Sequence, residues 1–432
     1  MRRGAAHAAA ALLLAQAAAA WAAESYTFDV SAFEKKAFEL GGYAELRQEY
    51  SVLNQDGAIY LLNFYNDPHS HLNETIATLK PSGKLRYKDA SLNFRANLQY
   101  DWGTLGSDHD GRWDELYGSY KPNPGLTLDA GKIALRWGKG YAWNPIAFVE
   151  RVKDPNDPEL AREGFTMLTG DVIRNFEGPL RTVAFTPVVL PANNNINPDF
   201  GTGSHTNIAA KLYLLYRDTD IDFAFLSNGS RSSRYGFDFS RNLATNLEIH
   251  GEWAHISDAR RSVTNASGGT NVVGGDDIQY LLGLRYLSAQ DTTYIFEYYR
   301  NGPGLSESEM DGFVQFVDNA YAQYLATGNA TALNQAASVV RSGYGLPNPG
   351  RNYLYLRVAQ KEPFDILYFT PAITVIANAD DWSSSITPEL LYTGFKDIEL
   401  RLRAVFLTGG AGTEYGERLN SRRFELRARL YF

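Results

Sequence analysis

Apolar and polar residues alternate one by one over long stretches of this chain. Between Asp89 and Trp102, the residues Ala90, Leu92, Phe94, Ala96, Leu98, Tyr100 and Trp102 share one parity. Ser91, Asn93, Arg95, Asn97, Gln99 and Asp101 share the other. Side chains on a strand point to opposite faces in turn, so the pattern predicts a strand with one greasy and one polar face. Residues 38–53 repeat it, with Leu40, Ala44 and Leu46 against Tyr43, Glu45, Arg47 and Glu49. So do 278–287 and 398–407. In 421–432, Phe424, Leu426, Ala428, Leu430 and Phe432 alternate with Arg423, Glu425, Arg427, Arg429 and Tyr431. About ten residues per tilted strand is what crossing a bilayer requires.

The connections come in two lengths. Short ones rich in Pro, Gly, Asn and Asp fall at Pro122–Gly125, Arg217–Asp220, Arg241–Asn246, Ser288–Asp291, Lys361–Asp365 and Thr393–Asp397. These are turn residues. Long ones fall at Lys139–Glu163, Pro191–His205, Ser257–Asp277 and Gly302–Gly350. Periplasmic turns alternating with extracellular loops predict an all-β, antiparallel, up-and-down transmembrane barrel. Counting back from Phe432 gives about eighteen strands, an even number, or about sixteen if residues 58–79 form a loop. No stretch of eighteen apolar residues predicts a spanning helix, and a closed barrel satisfies its backbone without one. In the longest loop, Ser306-Glu307-Ser308-Glu309 reads as a capping box. Phe313, Phe316, Val317, Tyr321, Tyr324 and Leu325 follow at helical spacing. Such a helix could cap the rim or fold into the pore.

Composition agrees with that class. The chain has 27 Tyr and 23 Phe, which suits aromatic girdles at two membrane interfaces. It has no cysteine, so disulfides, thiolate metal sites and haem attachment are excluded. The formal net charge of −8 argues against a nucleic-acid partner. Arg2 and Arg3, the apolar run Ala8–Ala20 and the small residues around Ala20-Trp21-Ala22 read as a signal peptide over 1–22. A short periplasmic segment, 23–37, and the barrel, 38–432, would follow.

Two segments carry resemblances. The terminal strand, ending on an aromatic residue, resembles the carboxy-terminal signal of bacterial outer-membrane barrels. That implies outer-membrane location, lipid and lipopolysaccharide contacts, and recognition by the barrel assembly machinery. The run Trp137-Gly138-Lys139-Gly140, then Asn144-Pro145 and Asp154-Pro155-Asn156-Asp157-Pro158, resembles the strand-to-loop region of alginate-export-like porins. That resemblance implies a channel for a polyanionic or small organic solute, with inward-folding loops.

The polar parity should face the lumen. On the last two strands it carries Arg401, Arg403, Arg423, Arg427 and Arg429; Arg47, Arg95, Lys132 and Arg136 are the further inward candidates. Guanidinium forks suit carboxylate and phosphate oxygens, and a basic wall concentrates anions. The competing reading pairs these cations with Glu45, Glu49, Glu399 and Glu425 as a structural ladder. Asp238, Glu248, Glu252 and Glu297 would lie on an opposite wall that is mixed or acidic. Histidines give no catalytic pair: His250 and His255 lie on opposite parities, and His69-Ser70-His71 reads as a loop. No cofactor, metal or enzyme activity is expected. The function expected is diffusion of small hydrophilic solutes, anions among them. Alternatives are a dedicated channel for an acidic polysaccharide or organic acid, and a plugged structural or receptor barrel.

Overall fold

The structure, a computed structural model, describes residues 36–158 and 162–432. The expected signal peptide and nearly all of 23–37 lie outside the described residues. Eighteen strands follow: β1 (Phe38–Leu53), β2 (His71–Tyr87), β3 (Ala90–Gly103), β4 (Gly106–Asn123), β5 (Leu126–Ile133) and β6 (Phe165–Asn175). Next come β7 (Leu180–Ala192), β8 (His205–Tyr216), β9 (Thr219–Leu226), β10 (Arg234–Ala244), β11 (Leu247–Thr264) and β12 (Thr270–Leu287). The last six are β13 (Thr292–Asn301), β14 (Asn352–Gln360), β15 (Phe369–Asn378), β16 (Ser384–Phe395), β17 (Ile398–Thr408) and β18 (Asn420–Tyr431).

Each strand pairs antiparallel with the next, and β1 pairs with both β2 and β18, so the sheet closes on itself. At the seam, Arg47 lies opposite Arg427 and Tyr50 opposite Phe424. Closure leaves no strand edge to solvate. The outward parity is the apolar one: Leu40, Leu46, Leu98, Leu282, Leu402 and Leu426 are exposed. An outward face of leucine and aromatics on a closed sheet is what hydrocarbon accepts.

The connections after β2, β4, β6, β8, β10, β12, β14 and β16 all lie at one end of the barrel. Between β8 and β9, Arg217 (φ 48°) and Asp218 (φ 59°) form a two-residue turn of left-handed residues. That hand matches the twist of the flanking strands. The opposite end carries the long connections, together with the two-residue β3–β4 turn at Thr104 and Leu105, and one expected loop is missing from it. Residues 257–277 are not a loop. The ladder of β11 and β12 runs through them to a tip at 265–269, stepping over a register shift between Ile256 and Ala259. Residues 58–79, ambiguous in sequence, hold helix α1 (Ala58–Phe64) and the first half of β2.

The 302–350 connection folds into α2 (Glu307–Thr327), α3 (Thr331–Val339) and a π-helical turn, Val340–Tyr344. Its capping box forms as expected. Ser306 Oγ accepts the Glu309 N–H at 3.3 Å, and Glu309 Oε2 accepts the Ser306 N–H at 2.7 Å. The apolar face of α2 does not enter the barrel. Phe313 stacks on Tyr344 at 4.0 Å, and the cluster extends to Leu61 of α1 and to Leu53 and Leu72, where β1 ends and β2 begins. Asn319 and Gln335 donate to the carbonyls of Ala266 and Gly268 at the β11–β12 tip. The helices therefore form a lid on the rim.

Candidate functional site: a loop across the lumen

The connection between β5 and β6, residues 134–164, enters the barrel. It starts five residues earlier than its Gly and Pro content suggests, because β5 stops at Ile133. Arg136 and Trp137 therefore sit in the loop rather than on a strand.

The loop is held by its backbone. Glu252 of β11 accepts the N–H groups of Lys139 and Gly140, both at 2.7 Å, and of Ile146 at 3.2 Å. Asn144 Nδ2 adds a bond to the same carboxylate at 3.0 Å. Glu297 of β13 takes the next two N–H groups, those of Tyr141 and Ala142. Four consecutive donors thus end on two wall carboxylates. Gly138 explains the close approach: its φ is +92°, and a Cβ there would lie 2.7 Å from Glu252 Oε1. Lys139 Nζ reaches Asp222 of β9 at 2.9 Å. His250, between Glu248 (3.2 Å) and Glu297 (2.9 Å), completes the polar row.

Apolar packing supports the same placement. Trp143 stacks on Tyr299 of β13 at 5.1 Å, and Ile146 and Phe148 are fully buried with Phe165, Leu190 and Leu226. Farther on, Asp157 meets the opposite wall, 3.3 Å from Arg427 of β18 and 3.7 Å from Arg403 of β17. The loop spans the lumen and is fixed at both sides.

The candidate cations fall into two groups. Those near the seam are paired. Arg401 lies 3.1 Å from Glu399 and 3.4 Å from Glu389; Arg403 is 2.7 Å from Glu389. Arg427 is 2.8 Å from Glu425, and Arg429 is 2.7 Å from Glu45 with its guanidinium over the Tyr43 ring. Arg47 and Arg423 share Glu49 at 3.1 and 3.8 Å. These six arginines share six carboxylates, counting Asp157, with Arg357 a further partner of Glu389 at 3.1 Å. The second group gathers where the loop leaves and rejoins the barrel. Arg95 is 2.9 Å from Glu115, Lys132 pairs with Glu163, and Arg136 is exposed with no partner among the described residues.

Beside Arg136 lies a cleft of ≈ 180 Å³, lined by Arg95, Arg136, Arg151, Lys153 and Arg162 against Glu150 and Glu163. Trp137, Val149 and Phe165 supply its apolar surface. Burial pushes the Glu150 carboxyl up to about 7, although Arg162 at 2.8 Å and the Trp137 N–H favour its charge. Burial also lowers the Lys153 ammonium to about 8, helped by the nearby Arg162. Lys153 donates to the carbonyls of Gly140 (2.9 Å) and Tyr141 (2.8 Å).

The anchoring role of Glu252 and Glu297 was not visible in the alternation, which shows only that they face inward. The acid Glu389, central to the seam network, also escaped the sequence reading.

The fold resembles solved barrels at low sequence identity. Pseudomonas aeruginosa OccK5 (OpdH) shares 10% identity over 91% of this chain and 98% of its own, with a TM-score of 0.49. P. aeruginosa OccD3 (OpdP) shares 10% over 91% of each chain, with a TM-score of 0.48. A triple mutant of Rhodopseudomonas blastica porin shares 11%, over 91% and 100%, with a TM-score of 0.41. No family model and no curated protein matches the sequence.

Proposed function

We propose that the chain is a porin-like outer-membrane channel for small hydrophilic solutes, with the 134–164 loop as its constriction. The observation that carries this reading is the loop itself, spanning an eighteen-stranded barrel from Glu252 and Glu297 to Arg427. A barrel of this size encloses an aqueous lumen, and an inward loop narrows it. The turn end would face the periplasm and the lid the exterior. Loop and paired walls together suit a size-limiting passage with charged sides. The alginate-export-like resemblance of the loop's WG and NP elements adds organic or polyanionic solutes as the finer reading. Conductance of the purified protein in planar bilayers tests the proposal: discrete open-channel steps are expected, and their absence overturns it. The lid over the rim favours one rival, a plugged receptor barrel. Under that rival, conductance appears only when residues 302–350 are removed.

A further inference from the structure

The seam arginines do not offer a free positive surface, because carboxylates sit within ion-pair distance of each. Among the described residues, the cations with no carboxylate in direct contact are elsewhere. In the cleft beside the loop, five cationic side chains line the space against two carboxylates. Both carboxylates are engaged: Glu150 by Arg162 at 2.8 Å, and Glu163 by Lys132 and by Arg151 at 3.4 Å. Arg95 is taken by Glu115. That leaves Arg136, with no partner among the described residues, and Lys153, which touches only carbonyl oxygens. Glu150, Glu252 and Glu297 act on the half-buried Lys153 ammonium only through space, and an anion that reaches it directly stabilises its charge further.

The rest of the lining narrows the anion's identity. Trp137, Val149, Ile133 and Phe165 give the cleft an apolar side. A cavity of about 150 Å³ holds a benzene ring, so a space of ≈ 180 Å³ admits a small ring or short chain bearing one carboxylate. The lining is more charged than apolar, so charge supplies the grip and the apolar side selects among the anions held.

We propose that this cleft is a binding site for small organic carboxylates, with Arg136 and Lys153 holding the carboxylate and Trp137, Val149 and Phe165 contacting the apolar body. The site lies on the loop that forms the constriction, so it deepens the channel reading and rests on it. A solute crossing the barrel pauses there, and the loop rather than the seam sets the preference.

The test uses the full-length protein in planar bilayers, with benzoate added to a chloride current. Benzoate is expected to block the current at concentrations that leave a neutral solute of equal size without effect. Arg136→Ser removes an exposed side chain with no partner among the described residues, so folding is preserved. It should weaken block roughly tenfold, the loss of one charge-assisted contact. Arg136→Lys should restore part of it. Lys88→Ser, a cation in the turn between β2 and β3, serves as the control for simple charge loss and should leave block unchanged. Equal block in the parent and Arg136→Ser proteins overturns the site. Equal block by inorganic phosphate and benzoate overturns the organic-carboxylate class, since the apolar lining would contribute nothing. A barrel that does not conduct removes the channel reading. Benzoate-induced changes in tryptophan emission, compared between the parent and Arg136→Ser, then decide the site separately: a change lost in the variant supports it, and no change refutes it.

Discussion

Removing both wall carboxylates that grip the loop should open the constriction intermittently. Glu252 and Glu297 together accept from five loop N–H groups and from the Asn144 amide. A hydrogen bond contributes about 0.5–1.5 kcal/mol net where water can replace it, and more to a charged acceptor. Six such bonds in a wet lumen amount to roughly 3–9 kcal/mol. The loop also buries Trp143, Ile146 and Phe148, each worth about 1.5–3 kcal/mol. The two contributions are of similar size. Glu252→Ala or Glu297→Ala alone should therefore leave the loop in place. The double variant should bring inserted and released states close to balance, and the two losses should not add, because the carboxylates hold neighbouring backbone groups. The assay is single-channel recording, with heat-modifiable gel mobility confirming an intact barrel. The expected trace flickers between the parental level and a larger one. An intact double variant with a single steady level, equal to the parent's, refutes this account of how the loop is held.

Four further outcomes follow from the geometry. Asp157→Asn neutralises the carboxylate beside Arg427 and Arg403 and should shift the reversal potential in a salt gradient toward anions; no shift would place Asp157 outside the conducting path. Acidification should move the potential the same way. Lys153, desolvated and facing Arg162, Glu150, Glu252 and Glu297, gains its proton as pH falls through about 8. Glu150, desolvated beside Arg162, Lys153 and Glu252, is neutralised as pH falls through about 7, so a potential constant from pH 9 to 6 contradicts both assignments. Phe313→Ala removes the stack on Tyr344 and should destabilise the lid by about 3–5 kcal/mol. Limited proteolysis should then cut within Glu307–Thr327 while the barrel stays intact. Arg403→Ser strips Glu389 of its 2.7 Å partner but leaves Arg357 and Arg401 beside it, and should cost about 1.5–3 kcal/mol, read as a lower melting temperature.

Period-2 alternation made the barrel legible because membrane and lumen impose opposite chemistry on the two faces of each strand. It located β1, β3, β17 and β18 to within a residue or two. It failed at 257–277, where Gly, Asn and Asp mimic a loop. There the apolar parity gives out, and backbone pairing, the Arg261–Glu309 ion pair and the packing of Val263 against the helices sustain the ladder. The inward direction of Glu252 and Glu297 was readable, but their partners are backbone amides of a segment more than a hundred residues away. Side-chain pattern carries no record of such partners. Likewise the arginines were visible on one parity, while their pairing with Glu389 and Asp157 depends on which strands and loops meet in three dimensions. Arg136 was assigned to a strand because nothing in the sequence marks the end of β5 at Ile133.

The contact between Asp157 and Arg427 links two events in time. One partner sits in a loop made early in the chain, and the other on the strand that finishes the ring. Pairing of β1 with β18 joins residues nearly four hundred positions apart, as between Glu45 and Arg429, which are register partners. Such distant pairings are the slowest to form. A loop still outside when the ring shuts would have to enter later through a mouth carrying the helical lid. Asp157 can meet Arg427 only once β18 has joined the ring, so the second anchor of the crossing loop exists only in the closed barrel.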